Sequence, residues 1–180
     1  MLGTANKKPV DALRAIAAPR ELIEWVRKMK PEEALRQAWI DTPRADWMPY
    51  LAVLRGISRD AIVRATCACA CELSAAVLAA SPQGERIAAV LRESAERTDA
   101  LAAAEQRLDD LRLVMIAHGE ASQPAWMFWC KLVLELGRAT RRGNPLIGVA
   151  LALKMMSGVG GRRASTDLVA RLRDALVLAG

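Results

Sequence analysis

Aromatic residues are scarce in this 180-residue chain, and most of them are tryptophan. They make up 4% of the sequence, with five Trp against one Tyr and one Phe. Each Trp carries a large apolar surface, so the largest core contacts are concentrated at few positions. The scarcity also disfavours a platform for single-stranded nucleic acid, because such platforms stack bases on aromatic side chains beside basic residues.

Histidine occurs once, at His118. Its ordinary pKa suits a general base near neutral pH. However, it lies at a predicted helix end, where a histidine more often interacts with the helix dipole. No motif ties a Ser or Cys nucleophile to it. Neighbouring carboxylates such as Asp109 and Asp110 face different directions on a helix. We therefore predict no catalytic residue and a protein that is not an enzyme.

Cysteine pairs with metal or redox spacing are also missing. Cys67, Cys69 and Cys71 alternate with alanine, and no C-x-x-C or paired His accompanies them. On a helix this spacing suits small buried side chains better than a zinc site or a disulfide, and a thiol or redox role is the alternative. The segment GVGGRR at 158–163 lacks the Lys-Ser/Thr ending of a phosphate loop. We predict no metal and no cofactor.

The first residues contain no apolar core followed by a small-residue cleavage site, so we expect no secretory signal and a cytoplasmic protein. The longest apolar stretch near the C-terminus, Leu146–Met156, is far shorter than the roughly 20 residues needed to cross a bilayer. It is predicted to be a buried helix, and membrane association is the alternative. If exposed, it would serve as an interface.

The repeat of apolar residues at three and four positions predicts an all-α fold, since no β-branched alternation is sustained. We expect a single compact domain over 1–180, a bundle of about seven to nine helices. The Gly-rich basic segment from Gly158 to Ser165 is predicted to be a loop, with Ser165 capping the last helix. Residues 158–180 could then form a hinged C-terminal arm.

Several residues predict where helices begin and end. Asp46 is predicted to cap the helix over 47–55, with Pro49 in its first turn. Gly56 ends that helix, and Ser58 caps the next one. Ser81 and Pro82 separate that helix from one over roughly 82–97, and Thr98 caps another that runs to His118. The long helix from Arg59 to about Ala80 is expected to bury one stripe, formed by Ile62, Ala65, Cys69, Leu73 and Ala76.

A further helix starts after Ser122 and is predicted to be central, because five large apolar residues share one side. They are Trp126, Trp129, Leu132, Val133 and Leu136.

Charge is distributed unevenly. Basic and acidic residues balance before residue 136, so the whole net charge of +6 lies in the last quarter of the chain. Such a surplus attracts nucleic acid, acidic lipid or an acidic protein face. The alternative is a solvated cluster at helix ends. The candidate partner-binding residues are Arg138, Arg141, Arg142, Arg162, Arg163, Arg171 and Arg173.

The stretch from Trp39 to Cys71 combines a tryptophan, the run Arg-Ala-Asp-Trp-Met, a glycine and an Ala-Cys-rich helix. It resembles the signature of the all-helical immunity proteins of bacterial polymorphic-toxin and contact-inhibition systems. The matching residues, which we interpret as structural, are Trp39, Arg44, Asp46, Trp47, Gly56 and Cys67. Trp39 and Trp47 are expected to pack in the core across the turn between them.

The resemblance implies a non-catalytic module that neutralises a toxin by stoichiometric binding. A nuclease toxin would call for an acidic contact face. Either the acidic segment from Glu85 to Asp110 supplies that face, or the target is not a nuclease. Two other hypotheses remain open. One is a nucleic-acid-associated regulator that uses the basic last quarter. The other is a structural or homo-oligomeric component of a bacterial assembly.

Overall fold

The computed structural model describes residues 9–117, 124–143, 145–159 and 161–178, and it describes only the backbone of 161–165 and 178. Helices are the regular secondary structure throughout these ranges, which confirms the all-α prediction. The helices are α1 (Pro9–Ala15), α2 (Arg20–Arg27), α3 (Ala34–Asp41), α4 (Met48–Leu54), α5 (Arg59–Leu78), α6 (Pro82–Glu96), α7 (Asp99–Ala102), α8 (Ala104–Arg107), α9 (Asp109–Ala117), α10 (Ala125–Arg141), α11 (Pro145–Val159) and α12 (Gly161–Leu178), with a 3-10 turn at Ala45–Trp47.

The predicted count of seven to nine helices is too low for the described part of the chain, which contains twelve α-helices. One reason is that the predicted helix from Thr98 to His118 is broken at Ala103 and Leu108. Each of the resulting short helices α7, α8 and α9 contacts α10. The breaks let this segment follow the surface of α10 while Leu101 and Leu108 stay buried.

The predicted cap at Ser58 is confirmed, and Ser81, predicted only to separate two helices, also caps one. The Ser58 hydroxyl accepts a hydrogen bond from the Ala61 backbone N–H at 3.1 Å. The Ser81 hydroxyl accepts one from the Gly84 N–H, also at 3.1 Å, with Pro82 at the first helical position. Each bond satisfies a backbone donor that has no partner inside its helix.

Two other residues predicted as caps make no capping hydrogen bond, although Thr98 does lie at the N-cap of α7. Asp46 lies inside the 3-10 turn, one residue before the N-cap Trp47 of α4, and its carboxylate pairs with Arg44. Pro49 does lie in the first turn of α4, as predicted. The Thr98 hydroxyl donates to the carboxylate of Asp60 on α5 and makes no capping hydrogen bond.

Gly56 ends α4 as predicted. Its φ of +83° is a left-handed conformation that a residue without a Cβ adopts at low cost. Two hydrogen bonds close the helix end: the Gly56 N–H donates to the Val53 carbonyl at 3.0 Å, and the Ile57 N–H to the Ala52 carbonyl at 3.0 Å. This is the Schellman arrangement, which satisfies two carbonyls of the last turn.

Helix α10 is central, as predicted. It contacts α5, α6 and α11 as well as the three short helices α7 to α9. All five residues of its predicted apolar side are buried, namely Trp126, Trp129, Leu132, Val133 and Leu136. The prediction succeeds because the stripe keeps a helical period over three turns.

The predicted stripe of α5 holds only in its first half. Ile62, Ala65 and Cys69 are buried, whereas Leu73 is 40% exposed and Ala76 is also exposed. Farther along, Ser74 and Leu78 are the buried positions. This half of α5 packs against α6, which folds back on it after a short connection, so the contact with α6 selects the buried face.

Helix α5 also has the length and apolar composition of a membrane-crossing helix, with a mean hydropathy of 1.6 over its best window. Of that window, 56% is buried inside the protein. A core helix of a globular bundle passes the same test of length and composition. In this fold α5 serves as a core element that contacts α4, α6, α10, α11 and α12.

The predicted loop from Gly158 to Ser165 is wrong. Helix α11 extends to Val159 and α12 begins at Gly161, so Ser165 lies inside α12 and does not cap it. Arg and Ala favour helix, which outweighs the glycines at this position. Helix α12 buries Leu168 and Leu172 against the rest of the core. A hinged arm over 158–180 stays a prediction.

Candidate partner-binding surface

Arg44, Asp46 and Trp47 form one cluster at the entry to α4. Arg44 donates two hydrogen bonds to Asp46, from Nε to Oδ1 at 3.0 Å and from Nη2 to Oδ2 at 2.6 Å. Its guanidinium carbon lies 4.8 Å from the centroid of the Trp47 ring. The hydrogen bond to Asp46 raises the pKa of Arg44. The forked pair fixes the plane of the guanidinium, which stacks on the indole.

The two tryptophans of the signature are core residues, as predicted, and each is 5% exposed. Their partners differ from the expected ones. The Trp47 ring pairs with that of Trp25, with centroids 5.4 Å apart and planes at 46°. Trp39 lies under the Arg55 guanidinium at 4.8 Å. Trp25, on α2, thus takes the place expected for Trp39.

The signature connects distant parts of the chain. The Ala45–Trp47 turn contacts α4, α11 and α12. Cys67 is 0% exposed in the core, and Gly56 closes α4. The buried part of the signature therefore organises the fold and leaves little surface for a partner.

The cysteines behave as small core residues. Cys67, Cys69 and Cys130 are buried, and Cys71 is half-buried. Burial is the main cause that raises the pKa of Cys67 to about 12 and those of Cys69 and Cys130 to about 11. The pKa of Cys71 is also raised by burial, with an opposing effect from Arg92.

We expect iodoacetamide at pH 8 to label Cys71 before the other cysteines of the native protein. A thiolate is the reacting species, so a raised pKa and a buried sulfur both slow labelling. Peptide mapping by mass spectrometry, over time and with a guanidinium-unfolded control, measures the four rates. Equal rates for Cys67 and Cys71 in the native protein would contradict this burial pattern.

The arginines of the basic last quarter pair largely with carboxylates from elsewhere in the chain. Arg138 contacts Glu105 at 3.1 Å and Glu135 at 2.8 Å. Arg141 also pairs with Glu105. A guanidinium held by a neighbouring carboxylate presents less positive potential to a phosphate.

The candidates on α12 lie in different surroundings. Arg171 pairs with Glu72 of α5 at 2.7 Å, and Arg173 donates to the Ile40 carbonyl of α3 at 2.9 Å. The side chains of Arg162 and Arg163 lie outside the part of the chain that the structure describes. His118 also lies outside the described residues. Arg142 is exposed and pairs with no described carboxylate, and Arg173 contacts a backbone carbonyl instead of a carboxylate.

Exposed large apolar side chains concentrate on two helices. Within the described residues, six of the ten lie on α9 and α11: Leu113, Val114, Ile116, Ile147, Leu151 and Val159. Ile116 is 70% exposed and Ile147 is 55% exposed. Helix α11 is apolar nearly all round, a composition typical of a fully covered helix. The sequence predicted that Leu146–Met156 would form an interface if exposed, and part of it is exposed.

Three of these side chains, Ile116, Ile147 and Leu151, line a groove over α10, between α9 and α11, which we call the α9–α11 groove. It consists of two adjoining depressions of about 530 and 400 Å³ that share Glu135 and Arg138. Its apolar lining includes Met115, Ile116, Phe128, Ile147, Leu151 and Met155. The charged residues that line it are Arg112, Lys131, Glu135, Arg138 and Arg142.

The charge around this groove is mainly positive, with four basic lining residues against one carboxylate. Arg112 pairs with Asp109 at 2.9 Å, and Arg138 pairs as described above. Lys131 and Arg142 are exposed and pair with no carboxylate in the described ranges. Lys154 is exposed one turn after Leu151 on α11. The groove thus combines an apolar floor with positive charge at its rim that no carboxylate in the described ranges pairs.

The acidic segment from Glu85 to Asp110 offers no comparable free face. Six of its seven carboxylates pair with arginines: Glu85, Glu93, Asp99, Glu105, Asp109 and Asp110. Arg86 illustrates this with a forked pair to Asp110, at 2.6 and 2.8 Å. These pairs lower the pKa values of Glu93 and Asp110 through the hydrogen bonds they accept.

No group of three or more potential metal ligands occurs among the described residues. No protein-family model, curated protein or solved structure matches the chain. The candidate site is therefore defined by its own surface chemistry, and within the described residues the α9–α11 groove is a surface where apolar exposure coincides with cations that no described carboxylate pairs.

Proposed function

We propose that this chain is a non-catalytic, immunity-like protein-binding module that neutralises a partner toxin by stoichiometric binding through the α9–α11 groove. The observation that carries the proposal is the exposed apolar groove with a basic rim. Exposed apolar surface of this kind costs solubility and is typical of a binding site. The resemblance of residues 39–71 to an immunity signature favours a toxin as the partner.

A protein partner fits this groove better than nucleic acid does. Phosphate binding depends on many cationic side chains, and the carboxylates of the chain itself hold Arg138, Arg141 and Arg171. Apolar residues such as Ile116 and Leu151 would gain nothing from a phosphate backbone. They lose their water only against another apolar surface.

We infer that the chain does not bind its target at a basic, nuclease-type cleft on the target. Six of the seven carboxylates that would meet such a cleft are paired internally, and the lining of the exposed apolar groove is mainly positive. Complementary charge then requires an acidic element on the toxin.

The experiment starts with capture of the tagged protein from its native cell, with washes at low and at roughly 0.5 M salt. The captured partner is then produced alone and together with the chain while growth is followed. We expect a toxic partner, a 1:1 complex at both salts, and growth restored by the wild type.

Leu151→Glu places a carboxylate on the groove floor and is expected to abolish this rescue. Val177→Glu is the matched control, because Val177 is 64% exposed on α12 and does not line the groove. It should rescue as the wild type does. A harmless partner, or rescue by Leu151→Glu equal to the wild type, would overturn the proposal. Nucleic acid retained only at low salt would favour the regulator hypothesis instead.

A further inference from the structure

We infer that the groove is occupied by one amphipathic α-helix of the partner, with an apolar stripe flanked by acidic residues. This inference rests on the proposed function and specifies which element of the partner the groove binds. Two observations carry it: the shape of the apolar floor and the sign of the unpaired charge beside it.

The apolar floor has the spacing of a helix. Ile147, Leu151 and Met155 follow one another at intervals of four on α11, so they span about 12 Å at the helical rise. Met115 and Ile116 of α9 border the opposite side, and Phe128 of α10 lies between. A groove between helices accepts the i, i+3 or i+4, i+7 side chains of an amphipathic helix.

The positive charge at the rim of the groove favours a partner helix with acidic flanking residues. Lys131 stands on α10, Arg142 just after its end, and Lys154 on α11. Within the described ranges none of the three pairs with a carboxylate, and each is exposed, so each can pair with a carboxylate of the partner. A flanking lysine or arginine on the partner would instead meet like charge, which disfavours binding.

A second copy of this chain is a poorer occupant. Most homodimers are two-fold symmetric, and such an interface places the same patch on both sides. The groove of one protomer would then oppose the groove of the other, with Lys131 and Arg142 facing positive charge. A lipid surface is also disfavoured, because the apolar residues line a depression and a bilayer binds protruding apolar faces.

The probe is a fluorescent helical peptide of about 18 residues, with Leu at positions 3, 7, 10 and 14 and Glu on both flanks of that stripe. Its twin has Lys in place of each flanking Glu. We expect the full-length protein to bind the Glu peptide about tenfold more tightly at low salt, the combined effect of several exposed charge pairs. At roughly 0.5 M salt the difference should shrink to about twofold while binding persists.

Two sets of variants test the groove itself. Leu151→Glu should weaken binding of the Glu peptide at least as much as replacing the flanking Glu by Lys in the peptide does. Val177→Glu should not change the affinity for the Glu peptide. The double reversal Lys131→Glu/Arg142→Glu should invert the preference, so that the Lys peptide binds more tightly. Arg36→Glu/Arg59→Glu reverses two exposed arginines elsewhere and should leave the preference unchanged. Circular dichroism confirms that each variant is folded.

Equal affinity for both peptides, or no binding of either, would overturn this inference. So would a concentration-dependent dimer lost in Leu151→Glu, or binding to vesicles of phosphatidylglycerol that needs Leu151. Failure here is distinguishable from failure of the proposed function. If the partner is still neutralised through Leu151 while both peptides fail, only the acidic helix is rejected. If the partner is not toxic, the function is rejected whatever the peptides do.

Discussion

Replacing Gly84 with alanine is expected to lower the free energy of unfolding by about 3 kcal/mol, the upper part of the range for overpacking a tight contact. A Cβ at this position would overlap the Leu78 carbonyl oxygen and lie 2.7 Å from the Leu78 carbonyl carbon. Both are backbone atoms at the end of α5, so they cannot rotate away. To admit the methyl group, α6 must move off α5, where Ile87 and Leu91 are fully buried.

Gly158→Ala is the matched control. It makes the same substitution inside α11, at a position where a Cβ would meet nothing within 4 Å. There the lower backbone entropy of alanine should stabilise the helix by about 0.5–1 kcal/mol. Denaturation by guanidinium, followed by circular dichroism, compares the two variants with the wild type. Equal stability of Gly84→Ala and Gly158→Ala would disprove the close approach of α6 to α5.

Replacing Trp47 with alanine is expected to cost about 3–5 kcal/mol of unfolding free energy, as for other buried aromatic residues. The indole is 5% exposed, pairs with Trp25 and supports the Arg44 guanidinium. Its loss leaves a cavity where the Ala45–Trp47 turn meets α11 and α12. The destabilisation should therefore reach the C-terminal helices as well as α4.

The substitution Trp47→Phe separates the contribution of the aromatic ring to stability from that of the indole N–H. The Trp47 Nε1 is buried without a hydrogen-bond partner within the described residues. A buried donor without a partner is itself destabilising, so removing it offsets part of the lost volume. We expect Trp47→Phe to cost about 1 kcal/mol, measured by the same guanidinium titration. A loss as large as that of Trp47→Ala would show that the N–H, not the ring, stabilises the cluster.

Helix ends were predictable where the chemistry is local. Ser58, Ser81 and Gly56 each act on backbone groups within three residues of themselves, so the sequence alone indicates their role. Thr98 shows the limit of this reasoning. Its hydroxyl has a competing partner, Asp60, that lies 38 residues away in sequence.

The buried faces were predictable only where one pattern dominates. The apolar stripe of α10 has a single helical period, and all of it is buried. In the second half of α5 the alanines offer more than one face, and the packing of α6 selects Ser74 and Leu78. The break of residues 99–117 into three short helices likewise follows from the surface of α10 on which they pack.

The sequence by itself determined the helical class, most helix boundaries, and the presence of both an apolar run at 146–156 and a positive surplus in the last quarter. Only the tertiary structure decided that Ile147 and Leu151 face outward, and that Arg138 and Arg171 pair with carboxylates while Arg142 pairs with none in the described ranges. A helix apolar on every side carries no periodicity that marks its outer face. Which charges pair depends on carboxylates such as Glu72 and Glu105, which only folding brings beside these arginines.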